Sequence, residues 1–110
     1  MLSSRYSEET VRDLDLQYEW YAENAGEDVA ERYLTAMEQT RLSLCQQPDL
    51  GRICHFRSRK LSKLRCIRME GAFGKHLIFY RLNDDTLFVF RVLHGMRDLP
   101  RRLLEPPGAE

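Results

Sequence analysis

The chain reads as an α+β protein: an N-terminal antiparallel helix hairpin packed on a small, mainly antiparallel β-sheet, followed by a short C-terminal helix. Three observations predict this. Apolar residues recur at spacings of three and four as far as Leu44, and from Leu64 the repeat shortens to two. Pro48 and Gly51 punctuate the change. Cys45, Cys54 and Cys66 are odd in number and form no C-x-x-C, so burial rather than a disulfide framework must hold the fold. At 110 residues the chain can bury such a core.

Each element has its own signal. Residues 2–6 suit a short first strand. Ser7 is placed as an N-cap, with Glu8 and Glu9 in the first helical turn where the backbone dipole favours acids. Val11, Leu14, Tyr18, Tyr21 and Ala25 then form a helical stripe, widened by Leu16 and Trp20, and Asn24-Ala25-Gly26 stops it. A second helix restarts at Glu27 or Asp28 with Ala30, Tyr33, Leu34, Met37 and Leu44 on its apolar face. So short a connection makes the helices antiparallel. After a basic linker, residues 64–69, 76–82 and 87–93 read as a three-stranded antiparallel meander, with turns at residues 71–74 and 83–85. Pro100 near the first helical position opens a final turn or two to Leu104. Residues 1–104 are expected to form one domain, and 105–110 a disordered tail.

Strand parity separates two faces. Phe88, Phe90, Val92 and His94 alternate with Leu87, Val89, Arg91 and Leu93, and in the strand before, His76, Ile78, Tyr80 and Leu82 alternate with Leu77, Phe79 and Arg81. The arginine-bearing face, with Arg81 and Arg91, is expected to be half-open.

Charge is divided along the chain. Residues 1–50 carry 11 acidic and 4 basic side chains (−7), and residues 51–110 carry 6 acidic and 13 basic (+7). A basic half of this kind attracts polyanions or an acidic protein segment, or simply forms a solvated rim. No run is apolar enough to span a membrane and no signal-peptide core follows Met1, so no membrane association and a cytoplasmic address are expected.

The side chains exclude some chemistries. Cys54, His55, Cys66, His76 and His94 lack zinc-ligand spacing, so no metal or other cofactor is expected. No Gly-x-Ser-x-Gly turn presents a nucleophile. Metal-free RNA cleavage remains open, because His76, His94, Tyr80, Arg65, Arg81, Arg91 and Arg97 are the types that supply a base, an acid and phosphate-binding cations. The corner His94-Gly95-Met96-Arg97-Asp98 also has a purely structural reading. Gly95 permits a backbone bend, Asp98 N-caps the last helix, and Arg97 pairs with Asp98 or an acid of the first helix.

Several stretches in this order resemble the RelE/ParE superfamily of bacterial toxins. They are the aromatic first helix DLDLQYEWYAENAG, PDLGR after helix two, HLIFYR in one strand and RVLHGMRD at the end of the last. The likeness covers residues 5–104 and is strongest to the ParE branch. It implies a RelE/ParE-like fold and the toxin of a type II toxin–antitoxin system. It further implies inhibition of DNA gyrase by binding rather than by enzymatic chemistry, and neutralisation by a ParD-like antitoxin whose acidic, apolar tail folds on binding. Arg65, Tyr80, Arg81, Arg91, His94, Arg97, Arg101 and Arg102 are the candidate contacts to target or antitoxin. The RelE branch implies instead a ribosome-dependent mRNA endoribonuclease, here using His76, His94 and Arg97. Those nucleases generally carry an arginine where His76 stands and a catalytic tyrosine where Leu103 stands, and Arg97 matches an arginine they share. An inactive toxin homologue is a third possibility.

Overall fold

The structure is a computed structural model that describes residues 1–108. In chain order it contains β1 (Ser3–Tyr6), α1 (Glu8–Ala25), α2 (Glu27–Gln46), β2 (Arg52–Ile53), β3 (Arg65–Arg68), β4 (His76–Asn83), β5 (Thr86–His94) and α3 (Arg101–Leu104). Short 3-10 turns lie at Arg59–Leu61 and Gly71–Phe73. The expected meander sits inside a five-stranded sheet of order β1-β5-β4-β3-β2, in which β1 runs parallel to β5 and all other pairs are antiparallel.

The hairpin forms as the sequence expects. The Ser7 hydroxyl accepts from the Thr10 N–H at 2.9 Å, capping α1. A single residue, Gly26, separates the helices, and its φ of 96° is one that side-chain-bearing residues rarely adopt. Leu14, Tyr33, Met37 and Leu44 pack from the hairpin onto Ile78, Tyr80, Val89 and Val92 of the sheet.

The buried side of α1 only partly follows the apolar stripe that spacing picked out: Leu14 is buried and Tyr21 packs against the core. Val11, Leu16 and Trp20 are exposed, and the buried positions are Thr10, Asp13 and Leu14. The reason lies at the edge of the sheet. β1 pairs with β5 only as far as Val89, so the rest of β5 would leave backbone groups bare. Polar side chains of α1 take the place of the missing strand. Thr10 Oγ1 donates to the Val89 carbonyl (3.1 Å), Ser7 Oγ to Phe90 (2.7 Å) and Gln17 Nε2 to Val92 (2.9 Å), while Asp13 accepts from the Val92 N–H (3.1 Å).

A bulge corrects the strand parity as well. Val89 pairs with Tyr80 and Arg91 with Phe79, which leaves Phe90 without a partner. Val92 therefore joins Leu87 and Val89 against the helices instead of following Phe88 and Phe90. The opposite face is closed, where a half-open one was expected. Leu61, Leu64, Cys66, Leu77, Phe79, Leu93 and Leu103 form a second core there, under the basic linker and α3. Residues 105–108 pack back on the body rather than fraying: Pro107 is buried, and the Glu105 carbonyl accepts from Arg91 Nη1 at 2.5 Å. The remainder of the expected tail, Ala109 and Glu110, lies outside the described residues.

Candidate partner-binding site

Arg91, expected to be exposed on the strand, is 3% exposed. Its Nε and Nη2 donate to the Asp13 carboxylate at 2.8 and 2.9 Å, and its Nη1 reaches the Arg102 carbonyl at 3.0 Å. One guanidinium thus ties α1, β5 and α3 together. Tyr80 is also fully buried. Its hydroxyl donates to the Pro48 carbonyl and accepts from the Gly51 N–H, both at 2.8 Å. A Cβ at Gly51 would come within 2.5 Å of that hydroxyl, so only glycine fits. Pro48, Gly51 and Tyr80, distant in sequence, are therefore one structural unit. Arg65 completes it by donating to the Gly51 carbonyl at 2.7 Å.

Other candidates are partly committed to the fold. Arg81 lies 5.0 Å from the centre of the Phe90 ring and donates to the carbonyls of Ser62 (2.7 Å) and Lys60. Arg102 Nη2 donates to the His94 carbonyl at 2.9 Å and Nη1 to the Arg97 carbonyl at 3.0 Å, which clamps the corner from beneath. Arg101 bridges Asp98 at 3.1 Å and Glu105 at 2.6 Å. Asp98 does not cap α3. Its φ is 59°, Pro100 occupies the N-cap position without a side-chain bond, and the Asp98 carboxylate turns to Arg101. Gly95 has the positive φ, 78°, that its role as a bend requires. Arg97 forms no ion pair among the described residues and is exposed, as is His94.

His76 and His94 are brought together, with ring centres 5.0 Å apart. His76 is 3% exposed, and its Nε2 is 2.8 Å from the Tyr21 hydroxyl. Burial, helped by the nearby His94, pushes its pKa down to about 4, so it is neutral at pH 7. Its Nδ1 is buried without a hydrogen-bond partner among the described residues.

Both histidines line a groove of about 530 Å³ between α1, the ends of β4 and β5, and the segment after α3. Leu16 and Trp20, 44% and 59% exposed, form its outer lip. An accessible indole and leucine beside a cationic corner suit a protein partner, because large apolar groups left in water favour association. Sequence reasoning missed this lip by assigning both residues to the core. The available signal was the polar run Thr10, Asp13, Gln17 at spacings of three and four, which shows where α1 faces the sheet. Among the described residues no three His, Cys, Asp or Glu side chains are grouped to hold a metal ion. Leu103, at the position where the resemblance puts a nuclease tyrosine, is an apolar core residue.

A helix hairpin on a five-stranded sheet, with a groove at one end lined by Leu16, Trp20 and His94, defines a small α+β protein. Comparison gives the family. Residues 5–99 match the family described as ParE toxin of type II toxin–antitoxin system, parDE, and the chain belongs to it. Toxin ParE1 of Mycobacterium tuberculosis, from strains CDC 1551 / Oshkosh and ATCC 25618 / H37Rv, is 30% identical over 105 residues, covering 93% of this chain and 100% of that protein. The solved structure of a chromosomal ParDE toxin–antitoxin system from P. aeruginosa shares the fold. Its TM-score is 0.70 at 17% identity, covering 87% of this chain and 98% of that one. No helix among the described residues is long and apolar enough to cross a membrane.

Proposed function

We propose that this ParE-type toxin arrests growth by binding DNA gyrase, without chemistry of its own, and that a cognate antitoxin neutralises it. The observation that carries this reading is the groove edged by Leu16 and Trp20 beside the exposed His94 and Arg97. Such a surface recognises a protein through apolar anchors and charge. Binding strongest to one state of the target populates that state, so occupancy alone is enough to poison an enzyme that must cycle. Of the candidate contacts, His94 and Arg97 face outward with Arg101 close to them through Asp98, while Arg81 and Arg65 lie toward the other end of β4, where they hold the linker. Arg91, Tyr80 and Arg102 act from beneath by holding the corner and the linker in place.

The antitoxin fits the same charge pattern. A tail with acidic residues and apolar anchors, disordered when free, complements a chain half that carries 13 basic and 6 acidic side chains.

The test measures supercoiling and DNA cleavage by purified gyrase, beside cleavage of ribosome-bound mRNA. Inhibition of gyrase at micromolar toxin, reversed by the antitoxin, supports the proposal. Cut mRNA with gyrase unaffected would replace it by the endoribonuclease reading, with His76, His94 and Arg97 as the groups to mutate.

A further inference from the structure

Three sulfur-bearing side chains line one cavity on the sheet face away from the hairpin. Cys66 of β3 pairs with Arg52 of β2, and the N–H of Cys54 donates to the Leu64 carbonyl at 2.8 Å. The two cysteines are therefore diagonal neighbours, with side chains on one face. Both belong to the second core, Cys66 buried and Cys54 half-buried, and both thiols are free. Arg52, the ladder partner of Cys66, stands on the same face and lines the same cavity. Met96, on the corner after β5, brings its Sδ to 3.8 Å from Arg52 Nη2. Cys54, Cys66, Met96 and Arg52 line one cavity of about 300 Å³.

The arrangement disfavours a disulfide. Diagonal partners stand about 7–8 Å apart, and beyond about 7 Å between Cα atoms two cysteines cannot join without backbone movement. An ion between the sulfurs spans that gap more easily, since two metal–sulfur bonds of about 2.3 Å replace one sulfur–sulfur bond of about 2.05 Å. Two thiolates with a thioether are a soft donor set of the kind that selects monovalent copper. Charge agrees too, because two thiolates around Cu(I) leave one negative charge beside one guanidinium.

We propose that Cys54, Cys66 and Met96 form a binding site for monovalent copper. The ion arrives as a complex with two small-molecule thiolates. Each cysteine S–H gives its proton to a departing carrier thiolate, two cysteine–copper bonds replace two carrier–copper bonds, and Met96 Sδ takes a third position. Copper stays Cu(I) throughout. The bound ion ties β3 and the end of β2 to the corner that presents His94 and Arg97, so it stiffens that corner. The binding itself does not depend on what the corner recognises.

The experiment is an oxygen-free titration of the reduced full-length protein with Cu(I) against bicinchoninate, followed by X-ray absorption at the copper edge. One equivalent should move from the chelator into a sulfur-only shell. Cys54→Ser should weaken binding by more than the ~10–100-fold typical for loss of a supporting group. Met96→Ala, at an exposed position, should weaken it measurably with the circular dichroism unchanged. Failure to compete with the chelator would overturn the proposal, as would a shell containing nitrogen, indifference to both substitutions, or loss of binding in Cys45→Ala.

Discussion

Arg91 and Arg97 belong to one short motif, RVLHGMRD, and the fold treats them in opposite ways. Arg91 is 3% exposed and spends its guanidinium on the Asp13 carboxylate and two main-chain carbonyls. Arg97 is exposed, and among the described residues its guanidinium has no ion-pair partner. The histidines repeat the contrast, His76 buried against Tyr21 and His94 facing outward. Residues that look equivalent as functional candidates divide into those that build the corner and those it displays.

The strongest way to break this division is Asp13→Ala. It strands the Arg91 charge in a site where both partners' side chains are about 5% exposed, and it removes the acceptor for the Val92 N–H. Removing one partner of a buried ion pair costs about 3–5 kcal/mol. Urea unfolding should show that loss in the stability of the free toxin. A loss under about 1 kcal/mol would mean that the Arg102 and Glu105 carbonyls hold Arg91 unaided, and that Asp13 is not part of the clasp.

How far the sequence carries the reading depends on whether the cause is local. Ser7, Gly26, Pro48 and the alternating strands act on their near neighbours, and the elements they mark stand where expected. What stayed hidden depends on pairings across the chain. Thr10, Asp13 and the half-buried Gln17 face the sheet because β1 ends early beside β5, and no helical periodicity contains that fact. The bulge at Phe90 moves Val92 to the other face, an inversion that strict alternation cannot foresee. Arg81 and Arg91 looked accessible because the linker and α3, which cover their face, carried no strong signal of their own. At the candidate site, exposed Arg97 and His94 were legible from the surplus of charge at a bend. The lip of Leu16 and Trp20 was not.

A second test probes the burial of His76 by pH. The His76 pKa falls from 6.5 to about 4 on folding, chiefly through burial. A base with a depressed folded pKa is protonated preferentially in the unfolded chain, so its contribution is fully present above pH 6.5. That contribution is lost as the pH falls toward 4, at about 1.4 kcal/mol per unit. Ionising carboxylates act in the same window, so the comparison is with His76→Gln, whose stability should fall less steeply from pH 6.5 to 4. Equal slopes would place His76 in water, and the contrast with His94 would disappear.

The smallest effect on stability, and the sharpest on recognition, is expected for Arg97→Ala. A surface side chain that makes no structural contact changes folding free energy by no more than about 0.5 kcal/mol. If the corner displays Arg97 for a partner, the same substitution should weaken gyrase inhibition while the urea midpoint stays fixed. Arg97→Lys should recover part of that loss, since charge is kept and the planar fork is not. Arg102→Ala provides the counterpart. It frees the His94 and Arg97 carbonyls that the guanidinium now clamps, so stability and inhibition should decline together. Should Arg97→Ala leave inhibition intact while Arg102→Ala removes it, the shape of the corner, and not the charge it displays, would be what the target reads.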